Sequence, residues 1–397
     1  MSLPTLETEP PLEPLWTRGF VMLLAASMFY FMGVYLLLPT LPLYAVYLGG
    51  GDAIAGLLMG FFTGAAIAVR PLTGWALDAY GRKAILVAGT ALSVVTIVAH
   101  EWAAGIILLL GLRLINGVGF GLQTTAAGTL AGDMAPRARL GEGIGFFTLA
   151  IGAPMAISPA VGMWLVGRGD FSALFMLSGL LTTVSLFLCF FIPFPKRALP
   201  AVPFSRPSLA SLFERSSLFP AAMVFLLTVT YGPILSLLAL YGVDRGLGNV
   251  GVFFTVYAIV LTATRPVSGR LADGWGFEPT AALGLVFVGA GLLTLASARS
   301  LVVLLVAAAL YGVGFGTTQP SLQAIVIHRV VPARRGAATA TFLIAYDLGL
   351  AVGSVVAGFL AGVLTLGGVF AFSAALAALA IALLLVHMRR KAPAPVG

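Results

Sequence analysis

Charged residues are scarce in this sequence. Of its 397 residues only 9% are Asp, Glu, Lys or Arg, whereas 60% are hydrophobic. A soluble domain carries about 25% charged residues and roughly 45–50% apolar ones, and a chain of this length cannot enclose so much apolar surface in a core of its own. The composition therefore argues against the soluble classes of protein and predicts an integral membrane protein.

Cysteine and histidine are almost absent as well. The single cysteine, Cys189 in "LFLCFFI", cannot form an intramolecular disulfide and is predicted to be a small core residue. The three histidines have no ligand partners at the spacing of a metal site, and no nucleophile stands in a pattern with a base. We therefore expect no metal site, no cofactor and no enzymatic activity.

A surface for nucleic acid is lacking too, although the formal net charge is +8. No basic cluster is interleaved with aromatic residues in the way that a nucleic-acid surface needs. The first residues, "MSLPTLETEPPLEPLWTR", are acidic and rich in proline rather than basic. This pattern argues against a cleaved signal peptide, and we expect a short disordered tail there.

Long apolar runs take up most of the remaining chain. A membrane-spanning helix needs about 20 mostly apolar residues. Segments that meet this requirement lie near residues 19–47, 53–77, 84–104, 106–131, 142–165, 172–193, 219–243, 250–271, 280–298, 300–326, 337–363 and 367–388. The sequence therefore predicts twelve membrane spans.

A polar, proline-rich stretch at residues 194–218 is the longest break within the chain, and it separates six predicted spans from six. The predicted organisation is a tail over 1–18, a six-helix half over 19–193, a linker over 194–218, a second six-helix half over 219–388 and a tail over 389–397.

Lys and Arg are distributed unevenly between the two sides of the predicted bundle. If the tails and the even-to-odd connections share one side, that side holds sixteen basic residues and the other holds three, Arg168, Arg245 and Arg299. Basic residues accumulate in cytoplasmic loops. We therefore expect a multi-pass protein of the inner membrane with both termini in the cytoplasm.

The two predicted halves contain a repeated motif. Residues 70–83, "RPLTGWALDAYGRK", return as "TRPVSGRLADGWGFE" at 264–278. A constant step of 195 residues pairs Arg70 with Arg265, Gly74 with Gly269, Asp78 with Asp273, and Gly81 with Gly276. Internal repeats of this kind are typical of secondary transporters, whose site lies between the halves near the bilayer midplane. The predicted fold is an all-α membrane protein of twelve transmembrane helices in two pseudo-symmetric six-helix halves.

The first copy of this motif resembles the loop 2–3 signature of the major facilitator superfamily. The matching residues in "GWALDAYGRKAIL" are Gly74, Asp78, Gly81, Arg82, Lys83 and Leu86. Ala79 departs from the arginine usual in the family, and the second copy keeps Asp273 but lacks the basic pair. The resemblance covers nearly the whole chain and implies the fold of that family. It also implies a latch between the halves that rests on Asp78 and Arg82 and stabilises the outward-open state. The further gating residues expected from the motif are Gly74, Gly81, Lys83 and Asp273.

Two ionisable residues lie deep within predicted spans. Arg113 is followed by Asn116 in "RLING", which resembles a helix 4 motif found in proton-coupled members of the family. Asp347 is the only acid near the middle of any predicted span. An isolated carboxyl in a low dielectric can take up and release a proton at accessible pH, or hold a cationic substrate. A structural role remains open for both: bracing for Arg113, and a hydrogen bond to backbone at a Gly-rich bend for Asp347.

Arg70 and Arg265 lie eight residues before their aspartates, and their main expected role is to brace the helix beside a proline. Helix 5 carries part of the motif of the family's exporters at Gly145, Pro159 and Gly162, which favours export. Further polar or aromatic residues are candidates to line a cavity: Tyr30, Tyr35, Asn116, Gln123, Tyr231, Tyr257, Gln319 and Tyr346.

The leading functional hypothesis is a proton-coupled transporter that exports small lipophilic or amphipathic compounds, resembling the drug/proton antiporter branch of the family. The alternative is a proton symporter that takes up an organic anion or a sugar, with Arg113 as the anion anchor. The expected partners are a small-molecule substrate, protons and the lipid bilayer, without nucleic acid, and the expected functional unit is a monomer.

Overall fold

An apolar chain in lipid is driven to form helices, because no water is present to satisfy free backbone N–H and C=O groups. The computed structural model of the protein describes residues 14–50, 52–193, 212–247 and 250–391. Within these ranges the regular structure is helical and no strand occurs. The predicted tails and linker lie partly outside the described residues, at 1–13, 194–211 and 392–397.

Twelve long helices follow one another in the described part of the chain. They are α1 Arg18–Leu37, α2 Asp52–Tyr80, α3 Arg82–Ala99, α4 Ile106–Met134, α5 Leu140–Gly167, α6 Phe171–Phe191, α7 Leu218–Asp244, α8 Gly251–Trp275, α9 Phe277–Ala296, α10 Leu301–Arg329, α11 Arg335–Ala361 and α12 Leu366–Lys391. After a turn, α1 is continued by the short helix Leu41–Tyr47. Twelve helical segments of the described residues are long and apolar enough to cross a membrane, which confirms the predicted fold class.

Local chemistry explains where several helices begin. The side chain of Thr17 accepts a hydrogen bond from the backbone N–H of Phe20 at the start of α1, and Asp170 accepts one from Ala173 at the start of α6. These oxygens satisfy N–H groups that have no partner within the helix. The turns from α2 to α3 and from α8 to α9 pass through Gly81 and Gly276, whose φ angles of 93° and 98° favour glycine.

The two sets of six helices pack in the same pattern. In the first set α1 packs on α5 and α6, α4 packs on α2 and α3, and α3 also packs on α6. In the second set the corresponding helices, six places further along, make the corresponding contacts. The sets meet mainly along two lines of contact, between α2 and α11 and between α5 and α8. We call these the α2–α11 seam and the α5–α8 seam.

The end of the bundle where α2 ends, at Tyr80, is called the terminal end. Because the helices alternate in direction, α1 begins and α12 ends there, and α11 begins there as well. Glu214, just before α7, binds Arg334 at this end, with 3.0 Å between its Oε2 and the Nε of Arg334. Burial alone would raise the pKa of the Glu214 carboxyl, but hydrogen bonds from Ser216 and Arg334 outweigh it and lower that pKa below its ordinary value.

Candidate functional site

An ion pair joins the two halves in the middle of the bundle. Nη2 of Arg70 lies 2.8 Å from Oδ2 of Asp347, and Nε of Arg70 donates a hydrogen bond to the same oxygen at 3.0 Å. Arg70 lies ten residues before the end of α2 and Asp347 twelve residues after the start of α11, roughly 15–18 Å from the terminal end. The sequence analysis predicted separate roles for these residues, and the structure pairs them.

Arg70 is held on its other side by two hydroxyl groups. Its Nη1 donates to Oγ1 of Thr124 at 3.1 Å and to Oγ1 of Thr125 at 3.2 Å, and both threonines belong to α4. The side chain of Arg70 is 2% exposed, whereas that of Asp347 is 17% exposed. The arginine is therefore fixed within the protein, and the carboxylate is the more accessible member of the pair.

Arg265 lies at the corresponding place in the second half, on the α5–α8 seam. Its Nη1 donates to the carbonyl oxygen of Thr148 on α5, and its Nη2 lies 3.5 Å from Oε1 of Gln319 on α10. Nε2 of Gln319 in turn donates to Oε1 of Gln323 at 3.2 Å. Arg265 is 7% exposed. Both of its hydrogen-bond acceptors are neutral oxygens, unlike the carboxylate that binds Arg70.

Arg113 lies apart from both of these groups. It stands eleven residues before Thr124 on α4, which is roughly 16 Å toward the opposite end of the bundle. Its guanidinium carbon lies 3.9 Å from the centre of the Phe62 ring, and its Nη1 donates to Oδ1 of Asn116 at 3.2 Å. Asn116 donates to Oγ1 of Thr96 at 3.0 Å. The arrangement fits a braced cation on an aromatic face, and Arg113 is not bonded to Asp347.

The predicted cavity residues divide into two groups. Tyr30, whose hydroxyl lies 2.8 Å from that of Ser93, and Gln123 are fully buried. Tyr35 and Tyr346 are half-buried and lie close enough to Arg265 to interact with it electrostatically. Tyr231 and Tyr257 are buried beside them and stack with ring centres 5.4 Å apart. The aromatic candidates of the second half therefore gather near Arg265.

Asp78 joins the halves at the terminal end. Its two carboxylate oxygens accept hydrogen bonds from the backbone N–H groups of Gly336 and Ala337, each at 3.0 Å. These N–H groups open α11, where a helix favours negative charge. Arg82 stands 3.2 Å from the same carboxylate and donates to the carbonyl oxygen of Pro332 at 2.7 Å. Both residues that the resemblance implicates in a latch thus contact the other half.

Asp133 was not a candidate in the sequence analysis, yet it bridges the same contact. Its Oδ2 lies 3.0 Å from Nε of Arg82, and its Oδ1 lies 2.7 Å from Nη1 of Arg335 on α11. Lys83, which follows Arg82, instead donates to the carbonyl oxygen of Phe190 within its own half. The signal in the sequence was the presence of opposite charges at the end of α4 and the start of α11, because these two ends meet at one side of the bundle.

Asp273 makes the same contact in the second copy of the motif. It accepts hydrogen bonds from the backbone N–H groups of Gly141 at 2.6 Å and Glu142 at 2.8 Å, at the start of α5. Glu142 in turn binds Arg270, with 3.1 Å between Oε1 and Nε. The second copy therefore caps a helix of the other half even though it lacks the basic pair. The two seams are closed at the terminal end by equivalent carboxylates.

The α2–α11 seam widens toward the opposite end. A Cβ built on Gly74 would lie 2.8 Å from Cβ of Ala340 and 2.9 Å from the carbonyl oxygen of Gly336. Gly60 lies on the face of α2 that carries Asp78, about five turns from that aspartate. A Cβ on Gly60 would meet no atom within 4 Å. Gly358, three turns along α11 from Asp347, is equally open. The helices therefore touch near the terminal end and separate beyond the middle of the bundle.

Two of the three predicted exporter-motif residues on α5 serve close packing. A Cβ on Gly145 would lie 2.6 Å from the carbonyl oxygen of Arg265, across the α5–α8 seam. A Cβ on Gly162 would lie 2.7 Å from the carbonyl oxygen of Leu36 on α1. Pro159 lies within α5 between them. Glycine at 145 thus allows the two halves to approach each other beside Arg265.

Gly74→Ala is expected to open the terminal end, because its Cβ would overlap backbone atoms of α11 that cannot rotate away. Such overpacking costs about 1–3 kcal/mol. Spin labels at Tyr80→Cys and Val331→Cys, two exposed positions on opposite halves, would report a longer distance by double electron–electron resonance in a Cys189→Ala background. Gly60→Ala, on the same helix but in open space, is the matched control. An unchanged distance in Gly74→Ala would contradict the tight seam.

Comparison with known proteins identifies the family. Residues 23–276 and 247–397 match the sequence profile of the Major Facilitator Superfamily. The chain belongs to the Major Facilitator Superfamily. An uncharacterized MFS-type transporter of Burkholderia pseudomallei strain 1106a is 30% identical over 367 residues, which cover 87% of this chain and 86% of the relative. One of Methanocaldococcus jannaschii is 24% identical over 353 residues, covering 86% and 91%.

Solved structures of the Major Facilitator Superfamily share the fold. The human organic anion transporter MFSD10 (TETRAN) superposes with a TM-score of 0.80 at 20% identity, covering 94% of this chain and 100% of that one. The transporter FucP in the outward conformation superposes with a TM-score of 0.79 at 16% identity, covering 96% and 100%. The family match and the twelve candidate membrane helices of the described residues make the protein a multi-pass membrane transporter of small molecules rather than an enzyme.

Proposed function

We propose that this member of the Major Facilitator Superfamily exports small amphipathic or lipophilic compounds in exchange for protons, by alternating access. The observation that carries the proposal is the ion pair between Arg70 and Asp347. It joins α2 of one half to α11 of the other, and its carboxylate is the only acid near the middle of any predicted span. A proton on this carboxylate would act directly on the contact between the halves.

The order of events follows from the charges. With Asp347 ionised, its attraction to Arg70 adds to the caps made by Asp78 and Asp273 and favours the state closed at the terminal end. A proton that reaches Asp347 from the opposite side cancels the ion pair, so the halves are free to separate at the terminal end. Substrate enters there, the proton leaves to that side, and the re-formed pair closes it again. Proton and substrate therefore move in opposite directions.

The direction of export rests on orientation and on α5. The excess of Lys and Arg at the terminal end supports a cytoplasmic location for that end, in the inner membrane of a bacterial-type cell. The partial exporter motif on α5, with Gly145 on the α5–α8 seam, supports release to the opposite side. The tyrosines gathered near Arg265 supply the largely apolar lining with few polar anchors that small-molecule sites have.

Proton exchange is testable in proteoliposomes with an acid interior. Ethidium, a permanent cation, and naphthalene-2-sulfonate, a permanent anion, are suitable probes because neither carries a proton across the membrane by itself. We expect the pH gradient to drive accumulation of at least one probe, with alkalinisation of the lumen reported by trapped pyranine. Accumulation should collapse with a protonophore. Probe movement at the same rate with and without the gradient would refute proton coupling.

Uptake of an organic anion by proton symport is a second candidate, favoured by the lack of a carboxylate partner for Arg113 and Arg265 in the described part of the chain. The two candidates differ in the sign of coupling. A symporter would accumulate naphthalene-2-sulfonate with an alkaline interior, and an antiporter with an acid one.

A further inference from the structure

Two buried arginines occupy equivalent places in the two halves but have different partners. Arg70 lies on α2 and reaches α4 and α11, and Arg265 lies on α8 and reaches α10 and α5. The same step of 195 residues relates the surroundings of both. It pairs Arg70 with Arg265, Thr124 with Gln319, and Gly152 with Asp347.

The two environments differ mainly in one carboxylate. Arg70 binds Asp347 and two threonine hydroxyls. At the position equivalent to Asp347 stands Gly152, which has no side chain, and the guanidinium of Arg265 lies directly against it. The surroundings of Arg265 therefore lack the negative charge that Asp347 supplies to Arg70.

Nothing in the described residues replaces that charge. No described carboxylate forms an ion pair with Arg265, and its acceptors are the carbonyl oxygen of Thr148 and the amide oxygen of Gln319. Its Nε is buried and has no hydrogen-bond partner. A cation in the middle of a membrane protein normally faces an opposite charge, because its desolvation is costly. Arg265 thus retains both a positive charge and an unused donor.

We propose that Arg265 binds the anionic head group of the substrate, a carboxylate or similar oxyanion. This group would pair with Arg265 as Asp347 pairs with Arg70. The unpartnered Nε, together with Nη2, whose present contact with Gln319 is long at 3.5 Å, forms the edge of the guanidinium that binds a carboxylate bidentately. Half-buried Tyr35 and Tyr346 lie close enough to Arg265 to interact with it electrostatically, and they offer aromatic surface to the apolar body of the substrate. The inference rests on the proposed transport function and narrows its substrate class to amphipathic organic anions.

Binding to the purified protein tests the inference without a membrane or a proton gradient. The probes are naphthalene-2-carboxylate and naphthalene-2-carboxamide, which match in size and shape and differ in charge. By isothermal titration calorimetry we expect the protein to bind the carboxylate at least about tenfold more tightly than the amide, because a charge-assisted hydrogen bond is lost in the amide. Equal affinity for the two probes would overturn the inference.

Gly152→Asp and Gly152→Asn form the matched pair of variants. Both add a side chain of the same size beside Arg265, but only the aspartate supplies a carboxylate, as Asp347 does for Arg70. We expect Gly152→Asp to abolish the preference for the carboxylate and Gly152→Asn to keep it, with equal unfolding temperatures as the check on folding. A preference that survives in Gly152→Asp would assign anion binding elsewhere, whatever the outcome of the proton-exchange assay.

Discussion

Asp347→Asn is expected to abolish proton-coupled transport while leaving the two halves folded. The variant removes the charge and the exchangeable proton of the central carboxylate and leaves Arg70 buried without an ion-pair partner. Breaking such a pair costs about 3–5 kcal/mol, which changes the equilibrium constant between the closed and the open terminal end by more than about 100-fold. The pair bridges α2 and α11, so this cost falls on the closed terminal end. Accumulation driven by a pH gradient should therefore be lost, whereas exchange of labelled for unlabelled probe without a gradient should persist.

Two controls separate this effect from a general loss of charge. Asp347→Glu keeps an ionisable carboxyl and should retain coupled transport. Glu278→Gln removes an acid that pairs with Arg329 inside the second half, so it should leave coupling unchanged. Coupled accumulation at the wild-type rate in Asp347→Asn would show that the proton is carried by another group.

Most of the fold could be predicted from the sequence because lipid leaves an apolar chain few alternatives. Runs of about 20 apolar residues must be helical, and their number and the break at 194–218 indicated twelve spans in two sets. The constant step of 195 residues predicted that the sets would be alike, and the helix contacts are. Helix ends were less predictable, since turns such as the one before Leu41 depend on local geometry rather than on composition.

The contacts between the halves could not be predicted in the same way. Arg70 and Asp347 are 277 positions apart in the sequence, and no local pattern records that their helices meet. Their similar depth and opposite charge were a usable signal, but bracing of the helix by Arg70 explained that residue equally well. Arg113, which a family motif favoured, lies against Phe62 instead. A motif specifies residue types, whereas the partner depends on how the helices pack.

The repeat also conceals a difference between the two arginines that only their contacts reveal. Identity between the copies at Arg70 and Arg265 suggests one role, but the acid that gives Arg70 its partner is a glycine in the other half. The second half thus holds both Asp347, the carboxylate that pairs with Arg70 of the first half, and Arg265, which has no carboxylate partner among the described residues. Our two proposals, a proton site at Asp347 and an anion site at Arg265, rest on this difference of one carboxylate between equivalent positions.

Asp78→Ala and Asp273→Ala are each expected to shift the protein toward a state open at the terminal end. Each aspartate accepts two backbone N–H groups of a helix in the other half. Each hydrogen bond to a charged group contributes about 1.5–3 kcal/mol, so the loss of even one of the two should change the equilibrium between closed and open states by about 10-fold to 150-fold. Spin labels at Tyr80→Cys and Val331→Cys measure that change as a longer distance.

The Asp273→Ala variant tests whether the second copy of the motif also holds the terminal end closed. The sequence analysis rests the latch on Asp78 and Arg82 and counts Asp273 among the gating residues, and the cap that Asp273 makes on α5 is geometrically equivalent to that of Asp78. Because both seams must open in one movement, the two effects should add, and the double variant should be mostly open. Asp170→Ala is the matched control, since that carboxylate caps α6 within one half. A distance in Asp273→Ala equal to that of the control would mean that the first copy alone holds the terminal end closed.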